Sequence, residues 1–297
     1  MHGFIVVDKP AGITSHDVVA RVRRILKMKK VGHTGTLDPF ATGVLPVALG
    51  EGTKVIPFLD EGVKEYVAVM RLGVTTDTDD KDGTTVEERF LDGISASLIR
   101  EVLSCFTGEI TQIPPMYSAL KRNGVPLYKL ARKGEEVERA PRPVTIYSLP
   151  VDLIELPSVT FTVGCSRGTY VRALARDMGE RLGCGAHLTA LRRSRSGPFT
   201  LGHARTLEQL ADEAVNGPEQ VGIISLLTAL AHLPHAELTA AGERRVRNGI
   251  PPVVDDLEAR QLSHHASGQR IVLVREGALV AVAVAQEGKL SIVRGFQ

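Results

Sequence analysis

The residues with the clearest capacity for chemistry lie in a segment rich in Gly, Thr and Pro, residues 31–46, whose composition predicts a loop. Its one aspartate, Asp38, precedes Pro39, and proline biases the residue before it toward an extended backbone. A carboxyl group with a reference pKa of about 3.9 is ionised at neutral pH. Such a carboxylate can attack an electrophilic carbon, as retaining glycosidases do at a sugar C1′. The alternative is a local turn that the aspartate closes with its own side chain.

A second candidate nucleophile is Ser166, in Gly164-Cys165-Ser166-Arg167-Gly168. This G-x-S-x-G pattern lies between a predicted strand and a predicted helix, which is the context of a hydrolase nucleophile elbow. However, the chain lacks the repeated strand–helix pattern of a doubly wound sheet, and no HGGG-like segment precedes the serine. A serine hydrolase is therefore kept only as an alternative.

Two further patterns suggest metal or phosphate chemistry without the context it requires. Residues 80–84 match a phosphatase nucleophile pattern, but no hydrophobic strand precedes them, and as an EF-hand loop they lack two anionic ligands. Cys184 and His187 have zinc-like spacing but no second pair. We therefore expect no metal.

The composition is that of a soluble globular protein. Of the 297 residues, 43% are hydrophobic and 24% are charged, which excludes disorder, collagen and coiled coil as the main description. No apolar run approaches the roughly 20 residues that span a bilayer, and Asp8 and Lys9 interrupt any secretory segment. Three cysteines suit a reducing compartment. We expect a cytoplasmic protein without membrane contact.

Basic residues are clustered although the net charge is only +2. Residues 21–30 hold six bases and no acid, and residues 121–142 hold seven bases against three acids. Arg192, Arg193 and Arg195 form a third cluster. Each cluster alone is typical of a solvated face, but three together make contact with a phosphate backbone a serious alternative.

Hydrophobic periodicity predicts the elements that must position these residues. Thr14 and Asp17 have capping-box spacing ahead of a helix, and residues 65–72 alternate like a half-buried strand. The remaining predictions are a strand at 3–7, an acidic loop at 75–93, a helix capped by Ser95, a strand at 158–165, and a helix at 169–182 that ends at Gly183.

Two domains are expected, residues 1–235 and 236–297, with the boundary near Pro234. Beyond it, short β-rich segments joined by Gly turns favour a small β-barrel or sandwich. Residues 111–143 show little periodicity, and a stretch of that length within a domain is usually functional or mobile.

The segment 32–45 around Asp38 resembles the catalytic motif of the bacterial tRNA pseudouridine-55 synthases, the TruB-type family. The resemblance covers residues 3 to about 205, and the last part of the chain is only loosely similar to the family's PUA-like domain. The other motifs that carry it are Asp8-Lys9-Pro10-Ala11-Gly12-Ile13-Thr14-Ser15; Tyr66 with Leu72-Gly73 and Thr76-Asp77-Thr78-Asp79; Pro114-Pro115-Met116-Tyr117-Ser118-Ala119-Leu120-Lys121 within residues 112–134; Gly168-Thr169-Tyr170-Val171-Arg172; and Gly183-Cys184-Gly185-Ala186-His187-Leu188 with Leu191-Arg192-Arg193.

The resemblance implies an α+β fold: a mixed, mostly antiparallel sheet with a small C-terminal PUA-like β-barrel. It also implies a reaction, the isomerisation of one uridine in the T loop of tRNA to pseudouridine without metal or cofactor. The C1′–N1 bond breaks, the base turns over, and C5 joins C1′. By the match Asp38 is the catalytic carboxylate, Arg172 pairs with it, and Tyr66 stacks on the flipped base and is a candidate proton acceptor at C5.

The same resemblance implies how the RNA is held. Residues 111–143 are expected to grip the T-arm, and the basic stretch 121–142 within them is expected to be mobile in the free protein and to close over it. The substrate-binding residues implied are His33, Leu191, Lys9, Tyr170, Lys121 and Arg132. A monomer without a protein partner is expected. The alternative is a tRNA-binding or folding module in which catalysis is incidental.

Overall fold

The computed structural model describes residues 1–60, 62–118, 120–122, 124–131, 133–217, 220–258, 266–286 and 289–296. Arg132, one of the predicted RNA-binding residues, lies outside them. The strands of the larger part are β1 (Gly3–Lys9), β2 (Val31–His33), β3 (Thr42–Leu49), β4 (Lys64–Leu72), β5 (Val74–Thr76), β6 (Thr85–Glu88), β7 (Gly108–Gln112), β8 (Lys121–Arg122), β9 (Val125–Pro126), β10 (Arg142–Ser148), β11 (Val151–Glu155), β12 (Ser158–Cys165), β13 (Ala186–Ser196), β14 (Phe199–Thr200) and β15 (Ala204–Arg205). Its helices are α1 (Ser15–Ile25), α2 (Gly52–Val55), α3 (Ala96–Ser104), α4 (Leu127–Ala131), α5 (Val171–Leu182) and α6 (Leu207–Asn216), with short 3-10 turns at Ile56–Phe58 and Leu201–His203.

One large sheet organises this part. Its strands run in the order β15-β1-β3-β13-β4-β12-β10-β7, with β2 beside β3, β11 beside β12 and β14 beside β13. The pairs β1–β15 and β3–β13 are parallel, and the other pairs are antiparallel. The predicted α+β class, with a mixed and mostly antiparallel sheet, is therefore confirmed.

Local sequence explains several of these elements. Strand β4 alternates as predicted, since Tyr66, Ala68 and Met70 are buried and Val67 is exposed. Helix α1 begins with the predicted capping box, in which the Thr14 side chain accepts from the backbone N–H of Asp17. Helix α5 ends at Gly183, whose φ of 83° is the left-handed conformation that glycine adopts at no steric cost.

Two predicted loops contain strands instead. Residues 31–46 include β2 and the first part of β3, because the continuous apolar run from Val44 to Leu49 is buried and overrides the turn-forming composition before it. The acidic stretch 75–93 includes the hairpin β5–β6. Strand β6 is exposed at every residue, so its sequence has no buried–exposed alternation from which a strand could be predicted.

The C-terminal part forms a second sheet. Helix α7 (Leu226–Ala229) precedes it, and it contains β16 (His235–Glu237), α8 (Ala240–Arg247), a 3-10 turn at Val254–Asp256, β17 (Arg270–Arg275), β18 (Ala278–Gln286) and β19 (Lys289–Gly295). The strand order is β16-β17-β18-β19. Glu276 and Gly277 both have positive φ, which suits the tight turn between β17 and β18. None of the described helices is long and apolar enough to cross a membrane.

The two sheets share an apolar core. Phe4 on β1 and Phe199 on β14 lie 5.4 Å apart between ring centroids, and both belong to a buried cluster that includes Val282 and Phe296 of the C-terminal part. At its edge the Arg270 guanidinium lies 5.4 Å from the centroid of the Phe58 ring. The C-terminal sheet is thus packed onto the main sheet by apolar side chains.

Candidate active site

Asp38 lies in the loop between β2 and β3, and the buried side chains of Lys9 and Ser15 hydrogen-bond to the backbone of that loop. The Lys9 ammonium, which is fully buried, donates to the carbonyls of Pro39 and Ala41 at 3.1 and 2.8 Å. The Ser15 hydroxyl accepts from Leu37 N–H and donates to Leu37 C=O. With its backbone fixed, the Asp38 side chain remains 32% exposed, so a substrate can reach it.

Arg172, in the first turn of α5, holds the Asp38 carboxylate with two hydrogen bonds. Its Nε donates to Oδ2 at 2.9 Å and its Nη2 to Oδ1 at 3.1 Å, while only 3% of the arginine side chain is exposed. The other N–H groups go to Thr78 C=O and Tyr117 C=O, both at 2.7 Å, and Nη1 lies 3.4 Å from Asp80 Oδ2. A guanidinium held by these four hydrogen bonds orients the carboxylate and stabilises its charge.

Asp80 and Gln112 also shape this arrangement, and motif reading did not assign either of them to this site. Helix α5 begins after Tyr170 without a side-chain cap, and the buried Gln112 amide instead accepts from Tyr170 N–H at 3.1 Å and donates to Tyr170 C=O at 3.3 Å. Both residues lie inside segments already noted, Asp80 at the start of the phosphatase-like pattern 80–84 and Gln112 at the start of the family-like segment 112–134. Only their tertiary contacts with α5 distinguish them.

Tyr66 and Leu191 lie on one face of two neighbouring strands. In the β4–β13 register Tyr66 is opposite Arg193 and Ala68 is opposite Leu191, so all four side chains project from the same face. Tyr66 is 8% exposed and Leu191 is 7% exposed. Burial raises the pKa of the Tyr66 phenol. Both residues supply apolar or aromatic surface that a flat base could contact.

Arg193 is buried, although its sequence neighbours Arg192 and Arg195 led us to expect a cluster of exposed bases. Its side chain is fully buried; Nε donates to Val44 C=O at 2.7 Å and Nη2 to Gly35 C=O at 3.1 Å. Its neighbour Arg192 is partly exposed and pairs with both oxygens of Asp8, at 2.7 and 3.1 Å. Alternate residues of a strand face opposite sides, which is why adjacent arginines have different surroundings.

The remaining predicted residues lie in or beside three different elements. His33 lies on β2 with its ring edge-on to His16, 5.2 Å between centroids, and burial lowers the pKa of His33 to about 4. Tyr170 is half-buried, and burial raises the pKa of its phenol. Lys121 is in β8, away from the main sheet path.

The hydrolase alternative finds no support at Ser166. The Ser166 hydroxyl accepts the backbone N–H of Thr145 at 2.9 Å. The strand before it, β12, lies between antiparallel neighbours, whereas a nucleophile elbow needs a parallel, doubly wound sheet. Among the described residues no three His, Cys, Asp or Glu side chains are grouped as a metal site.

The fold matches solved structures over the whole chain. A chain in the structure of a Cbf5–Nop10–Gar1 complex superposes with a TM-score of 0.77 and 32% identity, covering 100% of this chain and 85% of that one. A structure of an H/ACA RNP bound to a substrate RNA containing 2′-deoxyuridine matches with a TM-score of 0.76 and 30% identity, covering 100% and 85%. The class that the fold and the carboxylate loop define is that of the pseudouridine synthases.

Sequence comparison gives the family. Residues 23–171 match the model of the TruB family pseudouridylate synthase N-terminal domain, and residues 172–231 match that of the tRNA pseudouridylate synthase B C-terminal domain. The tRNA pseudouridine synthase B of Geobacter sulfurreducens is 58% identical over 95% of this chain and 93% of that protein. Its namesake in Burkholderia pseudomallei is 46% identical over 98% and 95%. The chain belongs to the TruB family of pseudouridylate synthases.

Proposed function

We propose that this chain isomerises uridine 55 in the T loop of tRNA to pseudouridine, with Asp38 as the catalytic carboxylate. The observation that carries the proposal is the two-bond contact between a buried Arg172 and a carboxylate that is still open to solvent. Relatives at 58% and 54% identity bear the name tRNA pseudouridine synthase B, which supports the substrate class.

The reaction requires that the uridine leave its stack, that its glycosidic carbon be activated, and that the detached uracil be held until C5 bonds to C1′. Asp38 meets C1′ or its immediate neighbours on the sugar or base, and Arg172 keeps the carboxylate oriented. Tyr66 stacks on the flipped base, and Leu191 packs against its other side. The reaction is an isomerisation that transfers no electrons to or from another molecule, so no cofactor is required.

Basic residues outside the Asp38 pocket bind the T-arm. Flipping a base costs a few kcal/mol of unstacking, which stacking and phosphate contacts must offset. Lys121 and Arg132 in the stretch 111–143 supply phosphate contacts, and His33 enters the space that the flipped base leaves. Lys9 and Tyr170 support the pocket, Lys9 through its hydrogen bonds and Tyr170 through packing.

The proposal extends to the organisation of the protein. Residues 1–235 form the catalytic domain with its RNA-gripping insertion, and residues 236–297 form a PUA-like domain. The chain acts as a cytoplasmic monomer on tRNA without a protein partner. Light scattering of the free protein and of its complex with tRNA tests this part, since a mass of two chains in either would contradict it.

The decisive experiment follows release of tritium from C5-labelled uridine in a T-arm transcript. Wild type should release the label, while Asp38→Ala should abolish release and leave RNA binding nearly intact. Asp38→Asn, which keeps the shape of the side chain, should behave in the same way. Ser166→Ala is the control and should release label like wild type.

Other outcomes identify the alternatives. Binding of the T-arm without release by wild type would support a binding or folding module instead. Labelling of Ser166 by a serine-directed probe would revive the hydrolase. Binding should also weaken steeply with salt if phosphate contacts dominate, and binding insensitive to salt would contradict the role given to residues 121–142.

A further inference from the structure

We propose that Arg193 is a positioning residue that directs the Tyr66 hydroxyl to give its proton to N1 of the uracil and later to take the C5 proton, stabilising the phenolate in between. The inference rests on the proposed function and assigns the proton path of that reaction. Arg193 acts through Tyr66 and does not contact the RNA.

The first observation is the environment of the Arg193 guanidinium. Its side chain is fully buried, and among the described residues no carboxylate forms an ion pair with it. Two of its nitrogens donate to backbone carbonyls, and the third, Nη1, is buried and makes no well-formed hydrogen bond. A side-chain hydrogen bond with Arg193 is nevertheless among the influences that lower the pKa of Tyr66, so the phenol is the partner toward which this guanidinium is directed.

The second observation is the position of Tyr66 relative to this donor. Tyr66 and Arg193 are directly opposite in the β4–β13 register, so their side chains leave the same face of the sheet. The carbonyls that Arg193 binds, those of Gly35 and Val44, lie on either side of the Asp38 loop. One guanidinium therefore links the strand position opposite Tyr66 to the backbone on both sides of the catalytic carboxylate.

The charges around the phenol favour a transient anion. Burial raises the pKa of Tyr66, and Asp38 and Cys165 act in the same direction, whereas the Arg193 charge opposes them. Tyr66 is thus a neutral phenol at rest, able to donate a proton, and Arg193 is the cation placed to stabilise the phenolate that remains.

The proton balance of the reaction calls for such a group. Pseudouridine carries a hydrogen on N1 that uridine lacks, and it has lost the hydrogen on C5. As the C1′–N1 bond breaks, its electron pair stays with the base, and the phenol proton passes to N1. The base then turns over, so C5 takes the place of N1 beside C1′. The C5=C6 electron pair forms the new bond to C1′, and the C5 proton passes to the phenolate, which restores the phenol.

The test is a double-mutant cycle with an isotope readout. Single-turnover conversion is measured on T-arm RNA carrying hydrogen or deuterium at C5 of the target uridine. The proteins are wild type, Arg193→Lys, Tyr66→Phe and the double variant, with Arg205→Lys as a conservative exchange remote from the site. RNA affinity and thermal unfolding are measured on the same proteins.

We expect Tyr66→Phe to slow conversion by about 10²–10⁴-fold, the usual range for a lost proton-transfer group. Arg193→Lys should slow it substantially with RNA affinity unchanged, and it should enlarge the deuterium effect, because the hydroxyl is no longer placed at C5. Adding Arg193→Lys to Tyr66→Phe should slow conversion no further. Arg205→Lys should match wild type.

A purely structural role predicts different results. If the two rate losses multiply, or if Arg193→Lys keeps the wild-type isotope effect while slowing conversion, the inference is wrong. Arg193→Gln gives a second arm should Arg193→Lys unfold: a neutral side chain there must enlarge the isotope effect above that of wild type. Failure of wild type to convert any RNA would instead overturn the proposed function itself.

Discussion

Lys9 is a buried cation that hydrogen-bonds to the backbone of the Asp38 loop. Its ammonium donates to the carbonyls of Pro10, Pro39 and Ala41, so each of its three N–H groups has an acceptor. Burial lowers the pKa of Lys9 to about 8, and the nearby Asp38 carboxylate partly opposes that shift. Lys9 is therefore mostly charged at neutral pH and loses its proton when the pH rises above about 8.

Isomerisation by wild type should decline as the pH rises through about 8. A neutral amine has only two N–H groups, so deprotonation leaves one carbonyl near Asp38 unpaired and loosens the loop. Single-turnover label release from neutral to alkaline pH measures this. Lys9→Met should be slower at all pH values and lack this decline, while Lys54→Met, at a surface ion pair, should retain it. A decline that persists unchanged in Lys9→Met would contradict the assignment.

His33 should make the protein less stable toward acid. Burial lowers the pKa of His33 from 6.5 to about 4, so between these values the unfolded chain binds the proton and the folded chain does not. The contribution of His33 to stability is thus full above pH 6.5 and is lost as the pH falls toward 4. Urea unfolding over this range should show a shallower loss for His33→Gln than for wild type. Equal slopes would show that His33 does not titrate as described.

At the scale of elements, periodicity predicted what local pattern can specify. The alternation in β4 and β12, the capping box of α1 and the glycine end of α5 all follow from side-chain spacing and backbone preference. Strand β3 was missed because its turn-forming start hides a buried apolar run. The composition of residues 31–46 correctly predicted the loop around Asp38 but gave no sign of the strand that follows it.

Candidate site residues divide in the same way. Motif and resemblance reached Asp38 and Arg172, since their residue types and order are visible in the chain. The burial of Arg193, by contrast, depends on which face of β13 meets the Asp38 loop, and the contacts of Asp80 and Gln112 depend on where α5 packs. Spacing along a chain does not contain that information.

Gly43 joins the Asp38 loop to β13, and replacing it tests that junction. Its φ is 100°, and an added Cβ would run into the backbone of Arg193 on the parallel strand. We expect Gly43→Ala to destabilise the fold by about 1–3 kcal/mol and to slow isomerisation. Gly108→Ala is the matched control: its φ is 102°, but no atom lies within 4 Å of the added Cβ. Equal effects on the isomerisation rate would mean that the junction does not position the site.

At the scale of the whole molecule, the two sheets are joined by one apolar cluster that draws side chains from β1, β3, β14, β17 and β18. Burial of apolar surface across such a boundary makes separate unfolding of either part costly, because each would expose the other's core. The proposed boundary near residue 235 therefore does not coincide with a division of the apolar core.

Phe296→Ala should lower the stability of the entire chain. The ring, 4% exposed, lies in the shared cluster, and removing a buried phenylalanine typically costs about 3–5 kcal/mol. Calorimetry should show one transition, moved to lower temperature as a unit. Phe90→Ala, at a side chain that is 90% exposed, should leave the transition in place. Two resolved transitions, with only one shifted by Phe296→Ala, would show that the parts unfold independently.

The hydrogen bond that Arg172 donates to Tyr117 C=O couples the Asp38 carboxylate to a distant segment of the chain. The same guanidinium grips the aspartate and the backbone at the entrance of the long basic stretch. Because one guanidinium binds both groups, a displacement of Tyr117 would also move the donors that orient the Asp38 carboxylate. The alignment of the carboxylate and the position of this stretch are thereby coupled through a single side chain.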